Sequence, residues 1–121
     1  MAEYLPIYKP GQALTLKASA TITGRQVLAI SGVNTVAPAG AASTAVVGVA
    51  AFDGVTNDNI TVYAGGVQEV IASGAITAGS PVIAGAAGTV VASATPPAGQ
   101  QVGIALTTAA DAAVVRVQFG R

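Results

Sequence analysis

Ser19-Ala20-Thr21-Ile22-Thr23-Gly24 returns later in the chain as Ser73-Gly74-Ala75-Ile76-Thr77-Ala78-Gly79, and it does not return alone. Val27-Leu28-Ala29 reappears as Val82-Ile83-Ala84, Thr35-Val36 as Thr89-Val90, and Val47-Gly48-Val49-Ala50 as Val102-Gly103-Ile104-Ala105. Ile60 and Val62 likewise answer to Val115 and Val117. The offset is nearly constant, with single-residue slips in the turns, so one unit is used twice. Two copies are fewer than the roughly three a solenoid needs to bury a continuous core. They suit one compact body of two similar halves, about 13–65 and 67–121.

Strand signals fill both halves. Ala13-Leu14-Thr15-Leu16-Lys17-Ala18-Ser19 alternates apolar and polar with period two, as does Ile60-Thr61-Val62-Tyr63. Arg25 to Ile30 follows a Gly turn, and Ala45 to Phe52 is a continuous apolar run suited to a buried strand. The second half repeats the pattern with Val67–Ala72, Pro81–Ala84, Thr89–Val91, Val102–Leu106 and Val114–Phe119. Short β-branched runs between Gly-rich turns predict an all-β sandwich or barrel. Glycine recurs too often for long helices. Thr107–Ala113 has the alanine for one helical turn, but its counterpart Asp53–Asn59 is full of turn residues, so hairpin connections are expected at both places. The Ala/Pro/Gly segments Ala37–Ala42 and Ala94–Gly99 read as corresponding connectors.

Residues 1–11 differ from the rest. Tyr4, Leu5, Pro6, Ile7, Tyr8 and Pro10 concentrate two of the three tyrosines and two of the six prolines before the Pro10-Gly11 turn signal. Each proline fixes its own φ and extends the residue before it. Disordered termini are poor in aromatics. An extended arm that orders against a partner is therefore expected, followed by a single β domain over 12–121.

Composition narrows function by exclusion. The chain has 121 residues, enough for one core that buries roughly 65–70% of the unfolded surface. Charged residues make up 8%, five acidic against five basic, where about 25% is usual. No basic run neutralises phosphates and no aromatic platform stacks bases, so no nucleic-acid partner is expected. Mean hydropathy is high at +0.66, yet Ala45–Phe52 falls far short of the ~20 residues of a membrane-spanning helix. Met1–Pro6 lacks the basic and apolar regions of a secretory signal. No membrane association is expected. A poorly charged, apolar chain instead points to self-association or to a large partner.

Reactive groups are scarce. The chain has no histidine and no cysteine, which removes the Ser-His-Asp triad, the thiol nucleophile, disulfides and the usual zinc ligands. Lys17 and Ser19 read as a solvated strand face rather than an activated pair. Asp53-Gly54 and Asp58 read as turn chemistry. The Asp53–Asn59 loop offers oxygen donors but departs from the calcium-loop pattern and spacing. Gly65-Gly66 and Gly85–Gly88 are turns without the Gly-Lys-Ser/Thr of a phosphate loop. Arg25, Glu69, Asp111 and Arg116 are available for ion pairs between subunits, although no spacing pairs them. No catalytic residue, cofactor or metal site is expected, and the chain does not read as an enzyme.

The opening Tyr4-Leu5-Pro6-Ile7-Tyr8-Lys9-Pro10-Gly11, the paired Val47–Ala50 and Val102–Ala105 motifs, and Val62-Tyr63-Ala64-Gly65-Gly66-Val67 carry a resemblance. Together they resemble the small head-decoration, or capsid cement, proteins of tailed bacteriophages, over essentially the whole chain. The resemblance implies a compact barrel or β-tulip body on the outer surface of the expanded capsid. It also implies a homo-oligomer, a trimer, with an N-terminal arm touching the major capsid protein. The binding residues on that reading are Glu3, Tyr4, Leu5, Pro6, Ile7, Tyr8, Lys9 and Pro10. Two other classes share the composition: a structural subunit of another surface or tail assembly, and a displayed carbohydrate- or host-binding module. The module needs an aromatic groove, and outside the arm only Phe52, Tyr63 and Phe119 are aromatic. Core packing is the simpler expectation for both phenylalanines.

Overall fold

A computed structural model describes residue 7 and residues 11–120. The first half runs β1 (Leu14–Ala18), β2 (Val27–Gly32), β3 (Thr35–Pro38), β4 (Val46–Ala50) and β5 (Asn59–Tyr63). These close into a barrel in the order β1-β3-β2-β4-β5, where β1 meets β5 antiparallel and β3 parallel. The second half runs β6 (Gly66–Ile71), β7 (Pro81–Ala84), β8 (Val90–Ala92), β9 (Gln101–Ala105) and β10 (Val114–Phe119). Its order, β6-β10-β9-β7-β8, repeats the first. The closure between β6 and β8 is reduced to one parallel bridge, Ala72 to Val90, at the place where β1 and β3 join through Ala18 and Val36. No helix among the described residues is long and apolar enough to cross a membrane.

The duplication reaches individual hydrogen bonds. Ser19 N donates to Val36 O at 2.9 Å, and Ser73 N to Val90 O at 2.8 Å. Arg25 N donates to Ala50 O and Gly79 N to Ala105 O; Ile22 bridges Gly54 and Ile76 bridges Ala109. The chain is all-β in two similar halves.

Glycine explains the repeated Val-Gly motif. A Cβ on Gly48 would overlap the carbonyl oxygen of Tyr63 and lie 2.8 Å from Val62 Cγ1. One on Gly103 would overlap the carbonyl oxygen of Gln118 and lie 2.9 Å from Val117 Cγ1. Both glycines let the fourth strand of a half run close beneath the fifth. Gly65 and Gly66, at φ +71° and +70°, make the left-handed turn that joins β5 to β6 and so joins the halves.

The pairing register corrects one sequence equivalence. Leu28 pairs with Gly48 and Pro38, whereas Val82 pairs with Gly103 and Ala92. Leu28 therefore corresponds to Val82, Ala29 to Ile83 and Val27 to Pro81, one place off the likeness of Val-Leu-Ala to Val-Ile-Ala. The error matters because a slip of one residue exchanges the inner and outer faces of a strand. The true slip lies in the connector after the third strand, which is one residue longer in the second half. Strand β3 is one the strand signals of the first half do not name: it spans Thr35–Pro38 and takes in Ala37 and Pro38, expected in the connector. A proline is tolerated at a strand end because the ladder needs no N–H there. The segment at 107–113 is a turn without helix.

Two apolar cores follow from this register. Ala18, Ile22, Leu28, Val36, Ala50, Ile60 and Val62 fill the first barrel. Their counterparts Ala72, Ile76, Val82, Val90, Ala105, Val115 and Val117 form the core of the second, five-stranded sheet, which is barrel-like without closing. Val27, Ala29, Ala39 and Val49 of the first half belong to the second core, because β2 and β4 are buried on both faces. One face lines their own barrel and the other packs on the second half. That packing is reinforced by Gln26 Nε2 donating to Ala87 O at 3.1 Å, Gly88 N to Ala39 O at 2.9 Å and Ala42 N to Ala84 O at 2.9 Å.

Candidate docking surface

Of the arm residues Glu3 to Pro10, only Ile7 is among the described residues, where it sits exposed in a bend; the others lie outside them. The remaining surface is built by the two barrels. Its charges are largely spent within the chain. Glu69 on β6 holds Arg25 Nη2 through Oε1 at 3.5 Å and Arg116 Nε through Oε2 at 3.4 Å. Arg116 lies directly opposite Glu69 in the β6–β10 ladder, so register fixes this pair. Asp111 accepts from Gly74 N at 2.7 Å. The pairs between subunits allowed by the sequence are thus pairs inside one chain for Arg25, Glu69 and Arg116, and a turn contact for Asp111. Asp58 accepts from Val55 N at 2.9 Å, the turn chemistry expected of that loop. Asp53 departs from it, accepting from Gly24 N at 2.7 Å in a distant turn, and Gly54 has no positive φ.

No polar or charged side chain is buried among the described residues; those that line surface depressions, such as Arg25 and Glu69 in one and Asp53 and Asp58 in another, stay exposed to solvent. A depression of about 200 Å³ between β4 and the ends of β9 and β10 is lined by residues such as Val46, Gly65, Val102 and Phe119. Its lining is apolar; two shallower depressions, of about 330 Å³ beside Arg25 and Glu69 and about 380 Å³ beside Asp53 and Asp58, reach only the lower end of the roughly 300–1,000 Å³ of small-molecule sites. Phe119 packs in the core as expected, whereas Phe52 is exposed beside the Gly24 turn.

The informative surface is the outer face of the second sheet, and comparison of the halves exposes it. On the first barrel this face carries Thr15 opposite Thr61 and Lys17 opposite Asn59, with Ala51 bonded to the backbone at Thr61. The second carries Glu69 opposite Arg116 and Ile71 opposite Val114, with Leu106 bonded to the backbone at Arg116. Lysine, asparagine and alanine have become isoleucine, valine and leucine. Leu106 is 46% exposed and Val114 40%, with exposed Val67 at the other end of β6. Apolar residues thus flank the Glu69–Arg116 pair on this face, exposed Val67 on one side and half-buried Ile71 with exposed Val114 and Leu106 on the other. The sequence already held this signal, in the differences between its halves rather than in their likeness.

A family model described as phage cement protein matches residues 8–119. The crystal structure of the head fiber gp8.5 N base in bacteriophage phi29 superposes with a TM-score of 0.72 at 22% identity, covering 89% of this chain and 92% of that one. At that identity the likeness is one of fold. No curated protein sequence matches the chain. With the family match running from the end of the arm to the last strand, the chain belongs to the phage cement proteins, a structural class and not an enzyme class.

Proposed function

We propose that the protein is a non-enzymatic cement subunit that binds the outer surface of the expanded phage head. It stabilises the head by bridging neighbouring subunits of the major capsid protein. The family match over residues 8–119 carries this reading. The body supports it physically: β2 and β4 of the barrel bury their outer faces in the core of the second sheet, so load applied at one half passes to the other through close packing.

The arm is the anchor in this account. An extended segment from Glu3 to Pro10 adds a strand to an exposed edge of a capsid subunit, gaining backbone hydrogen bonds while Tyr4, Ile7 and Tyr8 select pockets. Tyrosine brings a large contact area with a polar tip. A homotrimer presents three arms, and once the first has docked the others bind intramolecularly. The protein is made in the host cytoplasm and resides on the virion. It uses no cofactor, nucleic acid or membrane.

Co-sedimentation of purified protein with expanded heads stripped of it tests this reading, with and without residues 1–10. Saturable binding that the truncation weakens at least tenfold is expected. Binding that survives truncation moves the anchor to the barrels, and absence of binding by the full chain overturns the proposal.

A further inference from the structure

One edge of the second sheet is left open. Strand β6 pairs with β10 alone, apart from the Ala72–Val90 bridge just beyond its end. Ala72 N donates to Ala113 O on the β10 side, and Ser73 N donates to Val90 O on the other. Backbone groups alternate sides along a strand, so those of Val67, Glu69 and Ile71 face away from β10. In the first half the corresponding Lys17 N donates to Asn34 O at 3.1 Å, a bond with no equivalent among the described residues of the second half. The depression of about 330 Å³ lies where this edge meets the first barrel. Val67 and Glu69 of β6 line it together with Val49, Ala51 and Tyr63 of the first half. Tyr63 and Val67 are exposed there.

Arg25 lines the same depression, in a backbone conformation that does not suit it. It corresponds to Gly79, since Arg25 N bonds Ala50 O as Gly79 N bonds Ala105 O. Both are left-handed, at φ +73° and +89°, which strains any residue with a Cβ and is free for glycine. Within the chain the arginine makes one exposed pair with Glu69, whose carboxylate Arg116 already shares. Exposed pairs of this kind add little to stability. Two guanidiniums on one carboxylate leave a positive charge uncompensated, while Asp53 in the neighbouring turn is taken by Gly24 N. Strain retained for so small a return inside the chain points to a partner outside it.

From these observations we infer that the depression is a docking groove for an extended acidic segment of the major capsid protein. The segment adds a strand to the free edge of β6, exchanging hydrogen bonds with the backbone of Val67 and Glu69. It presents a carboxylate to Arg25 and Arg116, whose planar forks suit that group. The open edge calls for extended backbone, and the excess of arginine over glutamate calls for the acid. The chain's own arm fits the groove less well. Glu3 is its one acid, Lys9 opposes the arginines, and Pro6 and Pro10 have no N–H to donate. The inference deepens the proposed cement function and rests on it, adding a second capsid contact to that of the arm.

Hydrogen exchange resolved to single amides tests the groove, on the full chain free and bound at saturation to expanded heads stripped of it. In the free protein Val67 and Glu69 should exchange fast, and Gln68 and Val70, paired to β10, slowly. On heads the Val67 and Glu69 amides should slow by about tenfold or more. Protection already present in the free protein gives the edge to the arm or to a second copy and overturns the inference. So does protection on heads that vanishes when residues 1–10 are removed. Arg25→Gly takes the conformation of Gly79 without strain, so it should melt near the wild type yet bind heads about tenfold more weakly. Glu69→Gln leaves both arginines to the incoming carboxylate and should bind more tightly. Wild-type affinity in Arg25→Gly, or weaker binding by Glu69→Gln, overturns the acidic occupant. Normal head binding with Val67 and Glu69 still exchanging fast refutes the groove and leaves the cement function standing. Failure of the full chain to bind heads refutes the cement function, and the inference with it.

Discussion

Gly103→Ala isolates the device on which both barrels depend. Gly103 sits in the middle of β9, opposite Phe119 on β10 and Val82 on β7. The added methyl would overlap the carbonyl oxygen of Gln118 and stand 2.9 Å from Val117 Cγ1. To regain ordinary contact, backbone and side chain must retreat by roughly 1 Å. Overpacking of this kind costs about 1–3 kcal/mol, and a stretched ladder hydrogen bond adds ~1 kcal/mol. We expect a loss of about 3 kcal/mol, out of total stabilities of roughly 5–15 kcal/mol, so the variant still folds. At roughly 3–5 °C per kcal/mol for a chain of this size, its melting temperature falls by ~10 °C. Gly48→Ala meets Tyr63 O and Val62 in the same way and should lose a similar amount. Gly40→Ala is the control, since nothing lies within 4 Å of its Cβ position; it should fall within about 0.5 kcal/mol of wild type or gain slightly. Calorimetry of the three variants at one protein concentration decides. If Gly103→Ala melts within ~2 °C of wild type, close strand approach is not the reason for the repeated glycine.

Leu28 is fully buried in the first barrel, and Leu28→Ala should cost about 2–5 kcal/mol in urea unfolding, chiefly through the cavity it leaves. Glu69→Gln removes both ion pairs of Arg25 and Arg116, but these side chains are 43–62% exposed. Its effect on stability should stay below about 1 kcal/mol and shrink further in high salt. Asp111→Ala leaves Gly74 N without its 2.7 Å acceptor and should cost ~1 kcal/mol, with faster hydrogen exchange confined to the Gly74 turn.

Much of the fold was legible because its main constraints are periodic. The residues that fill the barrels fall every second position along each strand, and the two halves repeat them. Gly48 and Gly103 stood out by recurring inside apolar runs, although the clash that requires them appears only when the strands are paired. The register of β2 against β7 was misread because Val, Leu, Ile and Ala are chemically alike, so string likeness outvoted the alternation of faces. Strand β3 gives no strand signal of its own, because Thr35-Val36 is too short a run and a proline at a strand end looks the same in sequence as one in a connector. The charged residues gave no spacing from which to pair them. Glu69 meets Arg116 through a ladder and Arg25 through the packing of one half on the other, both long-range events. The outer faces were the least legible, since whether Val49 or Ile104 is covered depends on what lies across from it. The arm reading rests on the tyrosines and prolines of residues 4–10, a signal of composition rather than of periodicity.

The central claim is that the protein cements: its binding must raise the cost of separating capsomers. The direct measurement is the temperature at which DNA-filled heads rupture, followed by dye access to the DNA. It compares stripped heads with the same heads saturated by purified protein, with occupancy verified by sedimentation. The account predicts rupture at a distinctly higher temperature for saturated heads, and loss of that gain with protein lacking residues 1–10. Saturated heads that rupture at the same temperature as stripped ones would contradict it, since the protein would then decorate the capsid without strengthening it.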